Sequence, residues 1–237
     1  MNMPYMPSQI ASHGSILKPQ PFIVRDCALI ALATGRRAQN LKELRNHLLE
    51  VKAESLYTHF WGYMLQPGFE ERDYNNDFAE WVRHQLHDCI LAEQLAVIDP
   101  SEYENLEELR WEVIETIEHR LDELEVLNWS PPDRQFHFLY SKLVIFHTNR
   151  VLQHPSELPD AISDMSSGSI FYHVIDAARR LPEGGDDFKA WLQQWGQQYQ
   201  HVQSRLEQVD PYFTSLTHLR HSLEIIIRHA LPLNGRS

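Results

Sequence analysis

The sequence predicts a mainly α-helical protein made of two pseudo-twofold-related halves, each opening on a short strand or hairpin. Three observations carry this. The stretch Ser55-Leu56-Tyr57-Thr58-His59 returns 114 residues later as Ser169-Ile170-Phe171-Tyr172-His173. The same offset relates Phe22 to Phe136, Thr34 to Thr148, Arg36 to Arg150, Glu43 to Glu157 and Leu44 to Leu158. Apolar residues elsewhere recur at spacings of three and four, the period of a helix with one buried face. A long internal period of this kind reads as a degenerate tandem duplication.

Taken in order, residues 1–21 hold Pro4, Pro7, Pro19, Pro21 and Gly14 and read as a flexible arm. The first repeat spans 22–127. It starts with an apolar run from Phe22 to Ala33, matched by Phe136 to Thr148; both lack a helical stripe and read as strands that can pair with each other. Leu41, Leu44, Leu48 and Val51 mark the first helix, and the repeated Ser-to-His stretch a second, from about Ser55 to Leu65. Its twin runs from Ser169 to Leu181, and Pro67-Gly68 and Pro182 with Gly184-Gly185 terminate the two.

A long helix then begins at Asp77-Phe78-Ala79-Glu80-Trp81 and again at Asp187-Phe188-Lys189-Ala190-Trp191, each ending at an Asp-Pro pair, Asp99-Pro100 and Asp210-Pro211. Asp77 and Asp187 read as N-caps of these helices. The last helix of each half carries Leu106 to Leu124 and Leu216 to Ala230. Arg110 and Arg220 are placed to pair with the aspartates of the Asp-Pro stops. Residues 128–135, with Pro131-Pro132, form a stiff linker, 136–231 the degenerate second repeat, and 232–237 a tail.

The matched motifs resemble a bacterial and archaeal family known as domain of unknown function 5752. They read here Tyr57-Thr58-His59, Asp77-Phe78-Ala79-Glu80-Trp81 and Leu91-Ala92-Glu93-Gln94-Leu95. The resemblance is good over about residues 22–125, whereas the second half departs, with Val202-Gln203-Ser204-Arg205-Leu206 in place of the third motif. It implies a mostly helical fold and no assured activity.

Composition narrows function. With 21 Lys and Arg against 33 Asp and Glu, a formal net charge of −12 and no basic stripe, nucleic acid is excluded as a partner. No apolar run is long enough for a membrane span. No secretory signal is legible at the N-terminus, so a cytoplasmic location is expected. Cys27 and Cys89 form no metal knuckle or disulfide pattern, and both read as buried thiols. His84 with His87, and His218 with His221, stand three apart but do not recur between halves, so neither a metal nor a cofactor is expected.

The candidate ligand or pocket residues are His59, His173, Tyr57, Tyr172, Arg36 and Arg150. The histidines read either as core groups bonded to a helix end or carboxylate, or as a pair facing a shared cleft. Arg36 and Arg150, expected in loops beside helix starts, are the anion candidates. The leading expectation is a non-enzymatic regulatory module that binds a protein partner or a small anionic or polar ligand, as a monomer or homodimer. The alternative is a small hydrolase or lyase using His59 or His173 with a nearby carboxylate, in a cleft between the repeats.

Overall fold

The computed structural model describes residues 18–66, 72–123, 132–181 and 184–231. The arm up to residue 17, the Pro67-Gly68 stop, Pro182, the start of the linker and the tail lie outside them. The chain is mainly helical around a single two-stranded antiparallel ribbon. The strands are not short: β1 spans Phe22–Ala38 and β2 spans Phe136–Leu152, 17 residues each, and they pair with one another. Phe22 faces Leu152 at one end, Ala38 faces Phe136 at the other, and Leu29 faces Leu143 in the middle. Bulges interrupt the ladder between Ile23 and Arg25 and between Ala33 and Arg37.

Helix α1 (Leu41–Glu50) starts where Asn40 accepts the Glu43 amide, and it buries Leu41, Leu44 and Leu48. Helix α2 (Ala53–Trp61) is enclosed from Ser55 to Trp61 and continues as a 3-10 turn, Gly62–Leu65. In place of one long third helix there are two, α3 (Asp77–Gln85) and α4 (Cys89–Ala96). His87 between them sits at φ 57, and the Asp88 carboxylate caps α4 through the Leu91 amide while accepting Arg120 Nε at 2.8 Å. A left-handed residue followed by a strong cap ends one helix and starts another, which an apolar stripe alone does not report. Helix α5 (Leu106–Glu123) completes the first half.

The second half repeats the order with more irregular helices: α6 (Leu158–Asp164), α7 (Ser167–Ile170), a π-helical turn Phe171–Asp176, and α8 (Ala177–Arg180). The expected long helix is again broken, into α9 (Asp187–Gln193) and α10 (Gln200–Leu206), with Gly196 at φ 75 between them. Helix α11 (Leu216–Ala230) ends the described chain.

Two further expectations are corrected. Arg110 does not reach Asp99; its buried guanidinium donates to the Leu48 carbonyl and, at 2.7 Å, to that of Val51, the free carbonyls at the end of α1. Arg220 likewise donates to Met165 O at 2.9 Å, beyond α6. Helix ends leave carbonyls without intrahelical partners, and a buried arginine with several donors answers more than one of them. Cys27 is buried, with its thiol pushed up to about 12, chiefly by burial, but Cys89 is exposed.

The halves are not packed side by side as separate bodies. Helix α2 lies against β2, the strand of the second half, and α7 lies against β1. Trp81 Nε1 donates to Arg134 O at 2.8 Å, and Trp191 Nε1 donates to Gln20 O at 2.6 Å, each reaching the chain that leads into the other half's strand. Phe136 stacks on Phe78, and Phe22 on Phe188, with ring centroids 5.2 and 5.3 Å apart. Each half therefore buries its core aromatics against a strand supplied by the other.

Candidate functional site: two histidine–aspartate clamps and a cavity between the halves

The repeated Ser-to-His stretch clamps the backbone N–H and C=O of one residue. One helical turn separates serine from histidine, so both project from the same side of α2. Ser55 Oγ donates to Leu139 O at 2.6 Å, and Leu139 N donates to His59 Nε2 at 3.0 Å. In the other half Ser169 Oγ donates to Arg25 O at 2.6 Å, and Arg25 N donates to His173 Nε2 at 2.9 Å. In an antiparallel pair, alternate residues turn both backbone groups away from the partner strand. The serine and histidine thus do for one outward-facing residue what a third strand would do.

The far nitrogens are also engaged. His59 Nδ1 lies 2.8 Å from Asp77 Oδ2, and His173 Nδ1 lies 2.7 Å from Asp187 Oδ2. Because Nε2 accepts from an amide, the ring proton sits on Nδ1 and is donated to the carboxylate; the imidazole is neutral. Both rings are 2% exposed and pack on phenylalanines, Phe136 and Phe22, at 4.8 Å. Neither ring has a nitrogen left to take a proton from a substrate. Each histidine sits in its own clamp.

Asp77 and Asp187, expected as caps, do not cap. Asn76 and Asp186, one residue earlier, accept the Ala79 and Lys189 amides. That leaves Asp77 and Asp187 in the first turn, where a carboxylate is favoured by the helix dipole and free to bind the histidine. Each also holds an arginine, Arg72 Nη2 at 2.7 Å and Arg180 Nη2 at 2.9 Å. Burial pushes both carboxyls up, but the histidine and arginine contacts outweigh it and hold them below the ordinary value of 3.8.

A lowered folded-state pKa contributes stability that is present above about pH 3.8 and is lost as pH falls through the folded value. Asp77 is the cleaner case, because its preceding cap is Asn76, whereas burial pushes the Asp186 carboxyl up to about 6. The unfolding free-energy difference between wild type and Asp77→Asn is therefore expected to be level near pH 6–7 and to shrink below about pH 4. Urea titrations at several pH values measure it; a difference equal at pH 3 and pH 7 would contradict the assignment.

The remaining sequence candidates separate. Arg36 and Arg150 lie on the strands rather than in loops beside helix starts. They pair with Glu50 and, at 2.8 Å, with Asp164, so each cation already has an acid. Tyr172 is buried, with Arg180 4.0 Å above its ring. Tyr57 alone among the candidates lines the cavity where the halves meet.

That cavity, about 890 Å³, is walled by Tyr57, Trp61 and Tyr103 from the first half and by Ile175, Arg179 and Leu181 from the second. Arg179 lies 4.1 Å above the Tyr57 ring and, among the described residues, meets no carboxylate within ion-pair distance. The Tyr57 hydroxyl reaches buried Asp176 at 3.5 Å, and Asp176 accepts Arg180 Nε at 2.8 Å. Burial, then the charge of Asp176, pushes the Tyr57 phenol far above its usual range, so it stays a neutral donor. Asp176, Arg179 and Arg180 were missed from sequence. Their one signal was the adjacent arginine pair ahead of Gly184-Gly185, and nothing in the pattern reveals the π-helical turn that aims them. Such turns are enriched at functional sites.

His59 also borders a second, polar cleft of about 540 Å³ with Arg72, Asp77 and His84. Among the described residues no group of three or more His, Cys, Asp or Glu side chains is arranged to hold a metal ion. No described helix is long and apolar enough to cross a membrane.

Comparison with solved structures finds OrfY from Thermoproteus tenax, with a TM-score of 0.75 at 24% sequence identity, over 90% of this chain and 96% of that one. This likeness is one of fold. Comparison with the curated proteins finds no match. The Family of unknown function (DUF5752) matches residues 19–228, through the departing second half as well as the first, and the chain belongs to that family.

Proposed function

We propose that the protein is a non-enzymatic regulatory module that binds a small ligand bearing an anionic group in the cavity between its halves. The observation that carries this reading is the cavity itself. It is of ligand size, it has aromatic walls, and it presents an arginine that makes no ion pair among the described residues, with Glu104 the one acid in the lining. The occupied histidine nitrogens speak against acid–base chemistry by His59 or His173.

The same reading takes the halves as descendants of one duplicated unit, related by an approximate half-turn. In its support, the terminal strand pairs Phe22–Leu152 and Phe136–Ala38 are one pair shifted by the sequence offset, and the clamps recur at that offset. A ligand bridging two such halves would change how they sit on the ribbon, which is how a binding module becomes a regulatory one.

The test is a thermal-shift panel of inorganic phosphate, nucleotides, sugar phosphates, carboxylates and uncharged sugars, with calorimetric titration of any hit. A ligand at about a hundred times its Kd adds about 2.7 kcal/mol of stability, several degrees in Tm. Ala178→Trp, which fills the cavity from its exposed rim, should abolish the shift. A panel that leaves Tm unchanged would overturn the small-ligand reading in favour of a protein partner.

A further inference from the structure

The clamps protect only the ends of the ribbon. Arg25 on β1 and Leu139 on β2 have their outward backbone groups taken by serine and histidine. Along β1 the same outward orientation falls on every second residue, hence on Cys27, Leu29, Ala31 and Ala33. The Cys27 amide bonds Asp26 Oδ1, and its carbonyl lies under Gly168, where a Cβ would come within 2.3 Å. Helix α7 thus covers β1 as far as Cys27. The amides of Leu29, Ala31 and Ala33 have no partner among the described residues, and Ala31 and Ala33 are exposed.

Around this open edge the strand is apolar. From Cys27 to Gly35 the sequence Cys-Ala-Leu-Ile-Ala-Leu-Ala-Thr-Gly contains no charge and no proline, and Ile30 is 51% exposed. Natural edges of this kind are usually blunted by a charge, a proline or a cover. The opposite edge has such a device: Lys142 stands, exposed, in the middle of β2.

We propose that the β1 edge pairs with the β1 edge of a second copy of this chain, antiparallel and about a twofold axis through Ala31, giving a four-stranded sheet. Two observations select a second copy. The three residues with free outward amides are themselves centred on Ala31, so an isologous pairing sets Leu29 against Ala33 of the other copy and Ala31 against Ala31, and satisfies all of them. Charge agrees: the uncharged window is bounded by Asp26 on one side and Arg36 on the other, and this register places Asp26 opposite the Arg36–Glu50 pair at both ends rather than opposite another aspartate. A parallel arrangement would set Asp26 against Asp26. Pairing stops inside Cys27, which α7 covers.

The test is sedimentation velocity on the full chain from about 1 to 100 μM, concentrations that span a typical weak-to-moderate homodimer Kd. Wild type is expected to shift from monomer to dimer mass across that series. Ala31→Lys and Ala33→Lys should each remain monomeric at 100 μM with wild-type circular dichroism and Tm, since neither side chain is in the core. Lys142→Ala should dimerise as wild type does. A wild type that stays monomeric throughout overturns the proposal, as does a dimer that survives a folded Ala31→Lys or Ala33→Lys.

Discussion

His173→Ala is expected to destabilise the protein by about 2–4 kcal/mol, because it orphans a buried amide, takes one donor from a carboxylate and opens a gap in the core. The substitution leaves Asp187 held only by Arg180, the Arg25 amide without an acceptor, and a gap beside Phe22. Each orphaned polar group alone costs about 1–3 kcal/mol when water cannot reach it. His59→Ala removes the matching contacts to Asp77, Leu139 and Phe136 and should cost a similar amount. Equilibrium urea unfolding of both variants provides the measurement. A loss under 1 kcal/mol in a variant that keeps the wild-type m-value would mean that the clamp is not structural.

The other large effect concerns the halves. A fragment covering 22–127 is expected to be largely unfolded on its own, and so is one covering 136–231. In the first, Ser55, His59, Phe78 and Trp81 would all lose their partners, because those partners sit on or just ahead of β2. In the second, Ser169, His173, Phe188 and Trp191 lose Arg25, Phe22 and Gln20. Each fragment also exposes the full length of a strand whose ladder partner lies in the other fragment. Mixing the two should restore helical circular dichroism and a cooperative melt. A first-half fragment that melts cooperatively by itself would show that the strand exchange is dispensable.

Much of this was legible in the chain. The helical stripes of α1, α5 and α11 placed Leu44, Ile117 and Leu223 in the core, where they are buried. The repeat singled out His59 and His173, and of the two expectations for them the core histidine bonded to a carboxylate is the geometry found. Other features were not legible because their causes lie outside the local pattern. The breaks at His87 and Gly196 are single left-handed residues inside apolar stripes that run on through them. Asp77 and Asp187 looked like caps because any acid ahead of an apolar run does; only the neighbours Asn76 and Asp186, and a histidine 18 or 14 residues away, decide otherwise.

By itself, the sequence determined which faces are apolar and which residues recur, since periodicity and repetition are properties of one dimension. Which strand each helix leans on was decided only by the tertiary structure. A serine and histidine one turn apart can satisfy any outward peptide, and it is the long antiparallel pairing of β1 with β2 that brings the other half's peptide within reach. The cavity is likewise a product of assembly: Tyr57 and Arg179 are 122 positions apart, and no local preference of either residue brings them face to face.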